Sequence, residues 1–464
     1  MTKVPIETII KQAYEAQKQF ESVKQEVVDE LIIGLAWSLL EPKTNHSLSN
    51  KAVHDTGLGN SDDKFNKNYR KTLGLLRDLK NAPSVGVIKK IPEKGLVEIA
   101  RPVGVVGAIT PSTNPIATPL NNIINAIKGR NSIIIAPSPK GDAICEIIVK
   151  IMQKVLIRLD HPKYLIQKIP SPASKESTSK LMQCVDMVVV TGSEKNVSSA
   201  YKSGTPAIGV GVGNVAVIID ETADMASAAR KVVTSKTFDN STSCSSENSL
   251  MIVDEVYENA IKALQIEGGV LLDRKETEEL KNNLWFKGKL NPHLIAKSAP
   301  EIAEIVGLQR PEMKQAKMLM VEEKGTGSEY PFSGEKLSPV LTIYRADNFE
   351  NACQKIIELY EFQGKGHSVG IHSKSEKRPL EMGLKLPACR VIVNQPHCLA
   401  TGGSFGNGLP FSLSMGCGTW GKNSISDNLN YRHFLNIVQV VHPLNPLEPS
   451  EEEIFGDFWK KHGR

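Results

Sequence analysis

The sequence has no CxxC pair, no HExxH motif and no regular cysteine spacing, although it contains seven cysteines in 464 residues. An odd number of scattered cysteines is typical of free thiols in a reducing cytosol, because disulfide frameworks use paired cysteines. Without paired histidine and cysteine ligands, we expect no metal site. The sequence also lacks an apolar run of about 18 residues and an apolar signal segment, so we expect a cytoplasmic protein without a membrane anchor.

The sequence also has little excess of either sign of charge, since the formal net charge is only +5. No lysine or arginine block with interleaved aromatic residues occurs, which argues against nucleic-acid binding. The hydrophobic content of 40% and charged content of 23% are ordinary for a globular protein. Because the length exceeds the limit of roughly 250–300 residues for a single core, two domains are expected.

A small-residue loop surrounds one cysteine, Cys244, with three serines and a threonine. Backbone N–H groups and hydroxyls in such a loop lower the pKa of a thiol and stabilise a developing anion. The loop therefore predicts a nucleophile, although an isolated cysteine is more often a small buried apolar residue. Cys417, between two glycines, is the second candidate.

Helical periodicity predicts two amphipathic helices in residues 5–40 and a third over 63–80, for which we expect only a covering role. Strands and helices then alternate, which predicts a doubly wound parallel α/β sheet that binds ligands beyond the carboxyl ends of its strands. A second α/β unit begins after Cys244. The predicted strands of the first unit are 96–101, 103–110, 132–136, 164–169, 186–190 and 216–219, and its helices are 118–128, 142–159, 174–183 and 194–203.

The segment from Phe238 to Ser249 resembles the active-site motif Phe/Tyr-Asp-Asn-x-x-x-Cys-x-Ser-Glu-x-Ser of the CoA-acylating branch of the aldehyde dehydrogenase superfamily. Further matching segments follow in the family's order between about Arg101 and Ser426. The resemblance implies oxidation of an aldehyde by NAD(P)+ through a cysteine thioester, with coenzyme A as acyl acceptor. It also implies a homodimer or homotetramer.

The family fold consists of two doubly wound α/β domains and a small β oligomerisation element. By resemblance we expect a cofactor-binding domain at residues 1–235 and a catalytic domain at 236–425. A C-terminal oligomerisation strand and tail are expected at 426–464, and 91–104 is a further candidate oligomerisation strand.

The resemblance assigns catalytic roles to individual residues. Cys244 is the nucleophile, and Asn114 with the backbone N–H of Cys244 forms the oxyanion site. His367, in a Gly-x-Gly-His-Ser segment where the family has threonine last, orients the thiol or carries its proton. From the residues alone, Asn114 is equally suited to cap a helix and His367 to be structural.

The cofactor is expected at two turns that follow predicted strands, because glycine and hydroxyl groups at a helix N-terminus bind pyrophosphate. The GxGxxG fingerprint is absent, as it is in the resembled family. The turn Pro137-Ser138-Pro139-Lys140 has no acid to repel a 2′-phosphate, so we expect NADP to be accepted alongside NAD. The predicted cofactor-binding residues are Thr110, Pro111, Ser138, Lys140, Thr191, Gly192, Ser193, Gly211 and Glu335, the last by resemblance to a Glu-x-x-x-Pro segment that holds the nicotinamide ribose.

Gly209 aligns with the glutamate that activates water in the hydrolytic branch. Without that carboxylate, hydrolysis of an acyl-enzyme is poorly assisted, whereas a thiol such as that of coenzyme A needs less help. Transfer to coenzyme A is therefore favoured. A hydrolytic aldehyde dehydrogenase, an acyl-phosphate reductase and a non-catalytic paralogue are the alternatives.

The substrate is expected to be a short aldehyde with an anionic tail. Several motifs resemble acylating enzymes of sulfoacetaldehyde, the first choice, or of succinic semialdehyde, the second, more than those of acetaldehyde, which is the third choice. Hydroxyl and backbone N–H groups of the loops can solvate a sulfonate or carboxylate, although no arginine lies within these motifs. The predicted pocket residues are Ser112, Thr113, Thr242, Ser243 and Ser404.

Overall fold

The computed structural model describes residues 4–464. The α-helices of this part of the chain are α1 Ile6–Phe20, α2 Gln25–Leu40, α3 Pro42–Thr56, α4 Ser61–Leu79, α5 Ala117–Lys128, α6 Asp142–Arg158, α7 Lys175–Cys184, α8 Glu194–Tyr201, α9 Met225–Thr237, α10 Tyr257–Ile266, α11 Arg274–Leu284, α12 Ala299–Val306, α13 Phe349–Phe362, α14 Lys377–Lys385, α15 His397–Ala400 and α16 Glu451–His462. None of these helices combines the length and apolar character that a membrane crossing requires.

The strands form two parallel sheets, one antiparallel sheet and a short hairpin. They are β1 Gly86–Ile91, β2 Leu96–Pro102, β3 Val105–Thr110, β4 Ser132–Pro137, β5 Ile166–Lys168, β6 Met187–Thr191, β7 Ala207–Val210, β8 Val215–Ile219, β9 Glu247–Val253, β10 Gly269–Leu271, β11 Trp285–Phe286, β12 Lys289–Leu290, β13 Met318–Glu322, β14 Val340–Ala346, β15 Val369–His372, β16 Val391–Val393 and β17 Leu435–Val441.

The first parallel sheet has the strand order β5-β4-β3-β6-β7. Every residue of β3 and β4 is buried, as their near-continuous apolar sequences require of strands covered on both faces. Alternate residues of β3 face opposite cores: Val106 packs among residues of α2, α5 and α6, and Val105 among residues of α1, α7 and α8. The doubly wound α/β class predicted from the sequence is confirmed.

The second parallel sheet has the order β10-β13-β14-β9-β8-β15-β16. β8, which the alternation placed last in the first sheet, lies beside β9 near the centre of the second. Hydrophobic residues of α9, including Val232 and Val233, pack against this second sheet. The two sheets therefore separate at residues 211–214, earlier than the boundary expected at 235. The connection of β7 to β8 crosses from one sheet to the other beside the cysteine loop.

The third sheet pairs β2 with β1 on one side and with β17 on the other, both antiparallel. Six of the seven residues of β17 are exposed. The tail beyond it, which the sequence left uninterpreted, contains α16, whose side chains are mostly exposed. The candidate strand at 91–104 corresponds to β2.

The N-terminal helices predicted for residues 5–40 and 63–80 are present, with the unpredicted α3 between them. The buried face of α4 changes character along its length, since Lys64, Lys67 and Asn68 are buried in its first half and Leu75 and Leu79 in its second. Lysines are almost never fully buried without a partner. The first half of α4 therefore faces a polar interior, which is the functional site described below.

Replacement of two glycines inside helices α2 and α4 tests how these helices pack. Gly34 of α2 has room for a methyl group, because its nearest neighbours would lie at 3.5 Å, whereas a Cβ on Gly74 of α4 would lie 2.3 Å from the Phe411 ring. We expect Gly34→Ala to raise the free energy of unfolding by up to about 1 kcal/mol and Gly74→Ala to lower it by about 1–3 kcal/mol. Urea unfolding of both variants measures this, and shifts of the same sign would contradict the packing of α4.

Candidate active site

The cysteine loop begins with three consecutive residues in the left-handed region, Asp239 (φ 50°), Asn240 (φ 51°) and Ser241 (φ 61°). Such conformations are unfavourable for residues with a Cβ and persist only where the surroundings hold them. Here side-chain hydrogen bonds hold the turn, because the Asn240 amide donates to the Ala296 carbonyl at 3.1 Å and the Ser241 hydroxyl donates to the Lys236 carbonyl.

Cys244 lies at the end of this turn, where its backbone is in close contact with the β7–β8 connection. A Cβ added to Gly213 would lie 1.9 Å from the Cys244 carbonyl oxygen, so only glycine fits there. The thiol faces a cavity of about 380 Å³ between α4, the β3–α5 loop and the C-terminal loops. The cavity is lined by Asn66, Lys67, Arg70, Lys71, Asn114, Phe238, Ser243, Cys244, Ser245, Cys398, Leu399, Gly402, Gly403, Ser404, Phe411, Ser412, Leu413 and Met415.

His367 lies behind the thiol, with its Nε2 atom 3.5 Å from Cys244 Sγ. Its Nδ1 atom lies 2.7 Å from the Ser368 hydroxyl, the group that the serine-for-threonine replacement preserves. Burial lowers the pKa of His367 to about 3, and Arg390 acts in the same direction. The imidazole is therefore neutral near pH 7.

The expectation of a lowered thiol pKa is wrong for this structure. Burial raises the pKa of Cys244 well above its ordinary value, and Glu335 adds to the effect. The neighbouring hydroxyls contribute less than predicted because they bind one another, as in the 2.8 Å contact between Ser243 and Ser245. Cys244 and His367 thus form a neutral pair at pH 7, in which the thiol needs a base at the moment it reacts.

Asn114 lines the same cavity as Cys244. Its side-chain oxygen accepts a 2.8 Å hydrogen bond from the Lys67 ammonium, which directs the oxygen to α4 and leaves the amide NH₂ group as the free end. Asn114 precedes the first residue of α5, Ala117, and the N-cap residue Ile116 has no side-chain cap. The helix-capping role considered from sequence is thus not the one that Asn114 adopts.

Three cations of α4 form one wall of the cavity: Lys67, Arg70 and Lys71. Lys71 donates to the carbonyl oxygens of Gly402 at 2.8 Å and Gly403 at 2.9 Å. Burial, together with the charges of Lys67 and Arg70, lowers the pKa of Lys71 to about 8. The wall therefore carries positive charge that a bound anion would stabilise.

The sequence interpretation missed this wall, because α4 was assigned only a covering role and no arginine lies within the loop motifs. A signal was present, since positions 67, 70 and 71 have the spacing that places side chains on one helical face. Of the predicted pocket residues, Ser243 and Ser404 line the cavity. Ser112 and Thr113 lie outside its lining, and Thr242 is buried with its hydroxyl donated to Asp239 at 2.6 Å.

The predicted cofactor residues follow the carboxyl ends of three neighbouring strands. Thr110 ends β3 and Pro111 follows it, Ser138 and Lys140 follow β4, and Thr191 ends β6, with Gly192 and Ser193 leading into α8. The Thr191 hydroxyl lies 2.5 Å from that of Ser414, and the Ser193 hydroxyl caps α8. Gly211 follows the carboxyl end of β7, the next strand of the same sheet, and its N–H donates to Asn423 at 3.2 Å.

Two half-buried residues among the predicted positions suit a nucleotide, Ser138 after β4 and Glu335 before β14 of the second sheet. The Ser138 hydroxyl has no hydrogen-bond partner within residues 4–464, and the neighbouring Lys140 ammonium donates only to the Thr56 carbonyl, at 3.2 Å. Burial raises the pKa of Glu335 to about 8, against the opposing charges of Lys236 and Lys336. An unpaired hydroxyl and a desolvated carboxyl group are suitable partners for ribose hydroxyls and phosphate oxygens.

Gly209 and Cys417 are the remaining positions that the sequence singled out. A Cβ on Gly209 would lie 2.5 Å from Val197 Cγ1 and 3.2 Å from the Tyr201 ring, so this position faces α8 and has no space for a water-activating glutamate. Cys417 is buried, and its N–H donates to Asn423 at 2.9 Å. Within the described chain, no three His, Cys, Asp or Glu side chains converge as metal ligands would.

Comparison with known proteins agrees with this geometry. The model of the aldehyde dehydrogenase family matches residues 1–267. A sulfoacetaldehyde dehydrogenase (acylating) of Cupriavidus necator is 52% identical over 459 residues, which cover 99% of this chain and 93% of the relative. The chain belongs to the aldehyde dehydrogenase family. The membership predicted from the cysteine motif is confirmed.

Two further relatives place the chain among acylating members of the family. A succinate-semialdehyde dehydrogenase (acetylating) of Clostridium kluyveri is 38% identical, covering 98% of this chain and 99% of the relative. The crystal structure of an acetylating aldehyde dehydrogenase from Geobacillus thermoglucosidasius superposes with a TM-score of 0.92 at 34% identity, covering 96% of this chain and 98% of that one. The aldehyde dehydrogenase fold expected from the motifs is therefore present across the whole chain.

Because Cys244 and His367 form a neutral pair, we expect the Cys244 thiol to ionise only at high pH. We expect the rate of alkylation of Cys244 by iodoacetamide to rise with pH and to reach half its maximum above pH 9, because burial disfavours the thiolate and the imidazole carries no charge to stabilise it. The Cys244→Ala variant supplies the background of the other six thiols. A midpoint at or below pH 7 would indicate a thiolate–imidazolium pair and contradict this assignment.

Proposed function

We propose that the protein is a CoA-acylating aldehyde dehydrogenase that converts sulfoacetaldehyde, coenzyme A and NAD(P)+ to sulfoacetyl-CoA, NAD(P)H and a proton. The observation that carries the proposal is the Cys244 thiol, which opens into a cavity whose opposite wall is the cationic face of α4. The name of the 52% identical relative supports the same substrate.

The reaction begins when the Cys244 sulfur adds to the aldehyde carbon. Nε2 of His367, 3.5 Å from the thiol, accepts the proton that the sulfur loses. The aldehyde oxygen becomes an oxyanion as the carbon–sulfur bond forms. The NH₂ group of Asn114 and the backbone N–H of Cys244 donate hydrogen bonds to this oxygen, which stabilises the charge where it develops.

NAD(P)+ supplies the acceptor for the hydride that leaves the aldehyde carbon, and the product of that step is a thioester on Cys244. Ser138, after the carboxyl end of β4, and Glu335, in the segment before β14, would hold ribose and phosphate groups of the nucleotide. Because Lys140 lies beside Ser138 and no acid occupies that turn, we propose that NADP is accepted alongside NAD.

Acyl transfer completes the cycle. The proton that His367 accepted in the first step leaves to solvent. The thiol sulfur of coenzyme A then attacks the thioester carbon, the bond to Cys244 breaks, and the coenzyme A proton passes through His367 to the departing sulfur, which restores the neutral thiol. Gly209 supplies no carboxylate to activate water, and the packing of Val197 and Tyr201 leaves no room for one. Both features favour transfer to coenzyme A over hydrolysis.

The cationic wall favours an aldehyde with an anionic tail. Arg70 lies exposed at the cavity rim, where a guanidinium group can bind a sulfonate or carboxylate through two parallel hydrogen bonds. Lys71 adds a second positive charge whose present acceptors are carbonyl oxygens. Succinic semialdehyde is the second candidate substrate, because its carboxylate suits the same wall and the 38% identical relative is named for it.

Location and assembly belong to the same proposal. All seven cysteines are unpaired, which supports a cytoplasmic protein. The exposed edge strand β17 carries apolar side chains such as Ile437 and Val438, which supports a homodimer or homotetramer that covers this sheet.

Replacement of the nucleophile tests the reaction. We expect wild type to form NAD(P)H from aldehyde only when coenzyme A is present and to run in reverse from the acyl-CoA. Cys244→Ala should reduce the rate by at least about a thousandfold, since the covalent step is lost. Cys417→Ala, which removes a buried thiol outside the cavity lining, should retain most of the rate. Exchange of these two results would assign the nucleophile to Cys417.

Replacement of Arg70 tests the substrate class. Arg70→Met should lower kcat/KM for sulfoacetaldehyde about 10–100-fold, the loss expected when a hydrogen bond to a charged group is removed, and should change kcat/KM for propanal less than about twofold. Lys80→Met, which removes an exposed cation at the end of α4 outside the cavity, is the matched control. Equal losses on both aldehydes, or a wild type that prefers propanal, would refute the anionic-tail substrate.

A further inference from the structure

Lys67 is a buried lysine that lies at the centre of the site without being part of the reaction described above. Its side chain is only 6% exposed. Its ammonium group lies 2.8 Å from the Asn114 side-chain oxygen, 2.5 Å from Asp239 Oδ2 and 3.3 Å from the Thr242 hydroxyl oxygen. An ammonium has three protons and no acceptor, so these three contacts use its whole hydrogen-bonding capacity.

This arrangement determines which end of the Asn114 amide faces the substrate. An amide group has an acceptor oxygen and a donor nitrogen, and an oxyanion is stabilised only by the donor. If the amide were flipped, its NH₂ group would face the Lys67 ammonium, which cannot accept a hydrogen bond. The flipped state would therefore leave buried donors unsatisfied, which is costly.

The charges around Lys67 also favour an oxyanion beside Asn114. Asp239 is the carboxylate that pairs with both Lys67 and Lys64, the latter at 3.0 Å. Burial alone would raise the pKa of Asp239, but Lys67 and Lys64 outweigh it and hold the pKa below its ordinary value. The Lys67 ammonium, which contacts the Asn114 side chain directly, thus places a positive charge beside the position where the oxyanion forms.

We infer that Lys67 is a positioning residue, which orients the Asn114 amide as the oxyanion donor and fixes α4 to the cysteine loop through Asp239. The inference rests on the proposed function. Lys64 provides an internal comparison, since it shares Asp239 with Lys67 but its other contact is the Thr113 carbonyl, at 3.2 Å. Only Lys67 reaches Asn114.

A double-mutant cycle between Lys67 and Asn114 tests the inference. We expect Lys67→Met and Asn114→Ala each to lower kcat about 10–100-fold with less than about a threefold change in KM for the aldehyde, because an interaction made only in the transition state is lost. The double variant should be no slower than Asn114→Ala. Lys67→Arg, which keeps the donor, should recover part of the loss, and Lys64→Met should lower kcat less than about threefold.

Three results would overturn the inference. Multiplicative losses in the double variant would mean that Lys67 acts independently of Asn114, for example by touching the substrate. A lowered melting temperature with unchanged kcat would mean that Lys67 is only structural. Equal losses of kcat in Lys64→Met and Lys67→Met would mean that the ion pair with Asp239, and not the contact with Asn114, supports the reaction. If Lys67→Met fails to fold, Lys67→Arg in the wild-type and Asn114→Ala backgrounds gives the same comparison.

Failure of the proposed function has a different signature. It would appear as no NAD(P)H formation by wild type from sulfoacetaldehyde, succinic semialdehyde or acetaldehyde with coenzyme A. Failure of the Lys67 inference would appear among variants of an active wild-type enzyme.

Discussion

The buried carboxylate of Asp239 is the interaction on which the site depends. It accepts hydrogen bonds from Lys64, Lys67 and the backbone N–H of Asn60, while its own N–H donates to Asp63 at 2.7 Å. The first turn of α4 and the cysteine loop are therefore joined by bonds in both directions. Removing one partner of such a buried pair costs about 3–5 kcal/mol, because the other charge is left unpaired. This contact holds together the cationic wall, the oxyanion amide and the nucleophile.

Desolvation is the second constraint, and it determines how the nucleophile is activated. The site excludes enough water to raise the pKa of Cys244 and lower that of His367, so the pair rests in its neutral form. The same exclusion strengthens every charge–dipole interaction within the cavity. A neutral thiol beside a neutral base, facing a fixed positive wall, is suited to bind an anionic aldehyde before the sulfur becomes nucleophilic.

Much of the fold followed from local sequence patterns. The apolar runs of β3 and β4 and the glycine, serine and threonine residues between strands and helices predicted the parallel sheet. The assignment of β8 to the first sheet failed because an apolar strand carries no information about its neighbours: Val217 and Ile219 would fit the interior of either sheet. The cysteine motif predicted the nucleophile for a different reason, since its chemistry is local and its residues are contiguous.

The sequence by itself determined the family and the absence of a glutamate at position 209 and predicted the nucleophile, because each depends on the identity of residues in short contiguous segments. Only the tertiary structure decided the protonation of Cys244, the direction of the Asn114 amide and the role of α4. These properties depend on burial and on contacts such as that of Lys67 with Asn114, 47 residues apart in the chain. Electrostatic interactions depend on the distance between groups in space, whereas the sequence gives only their separation along the chain.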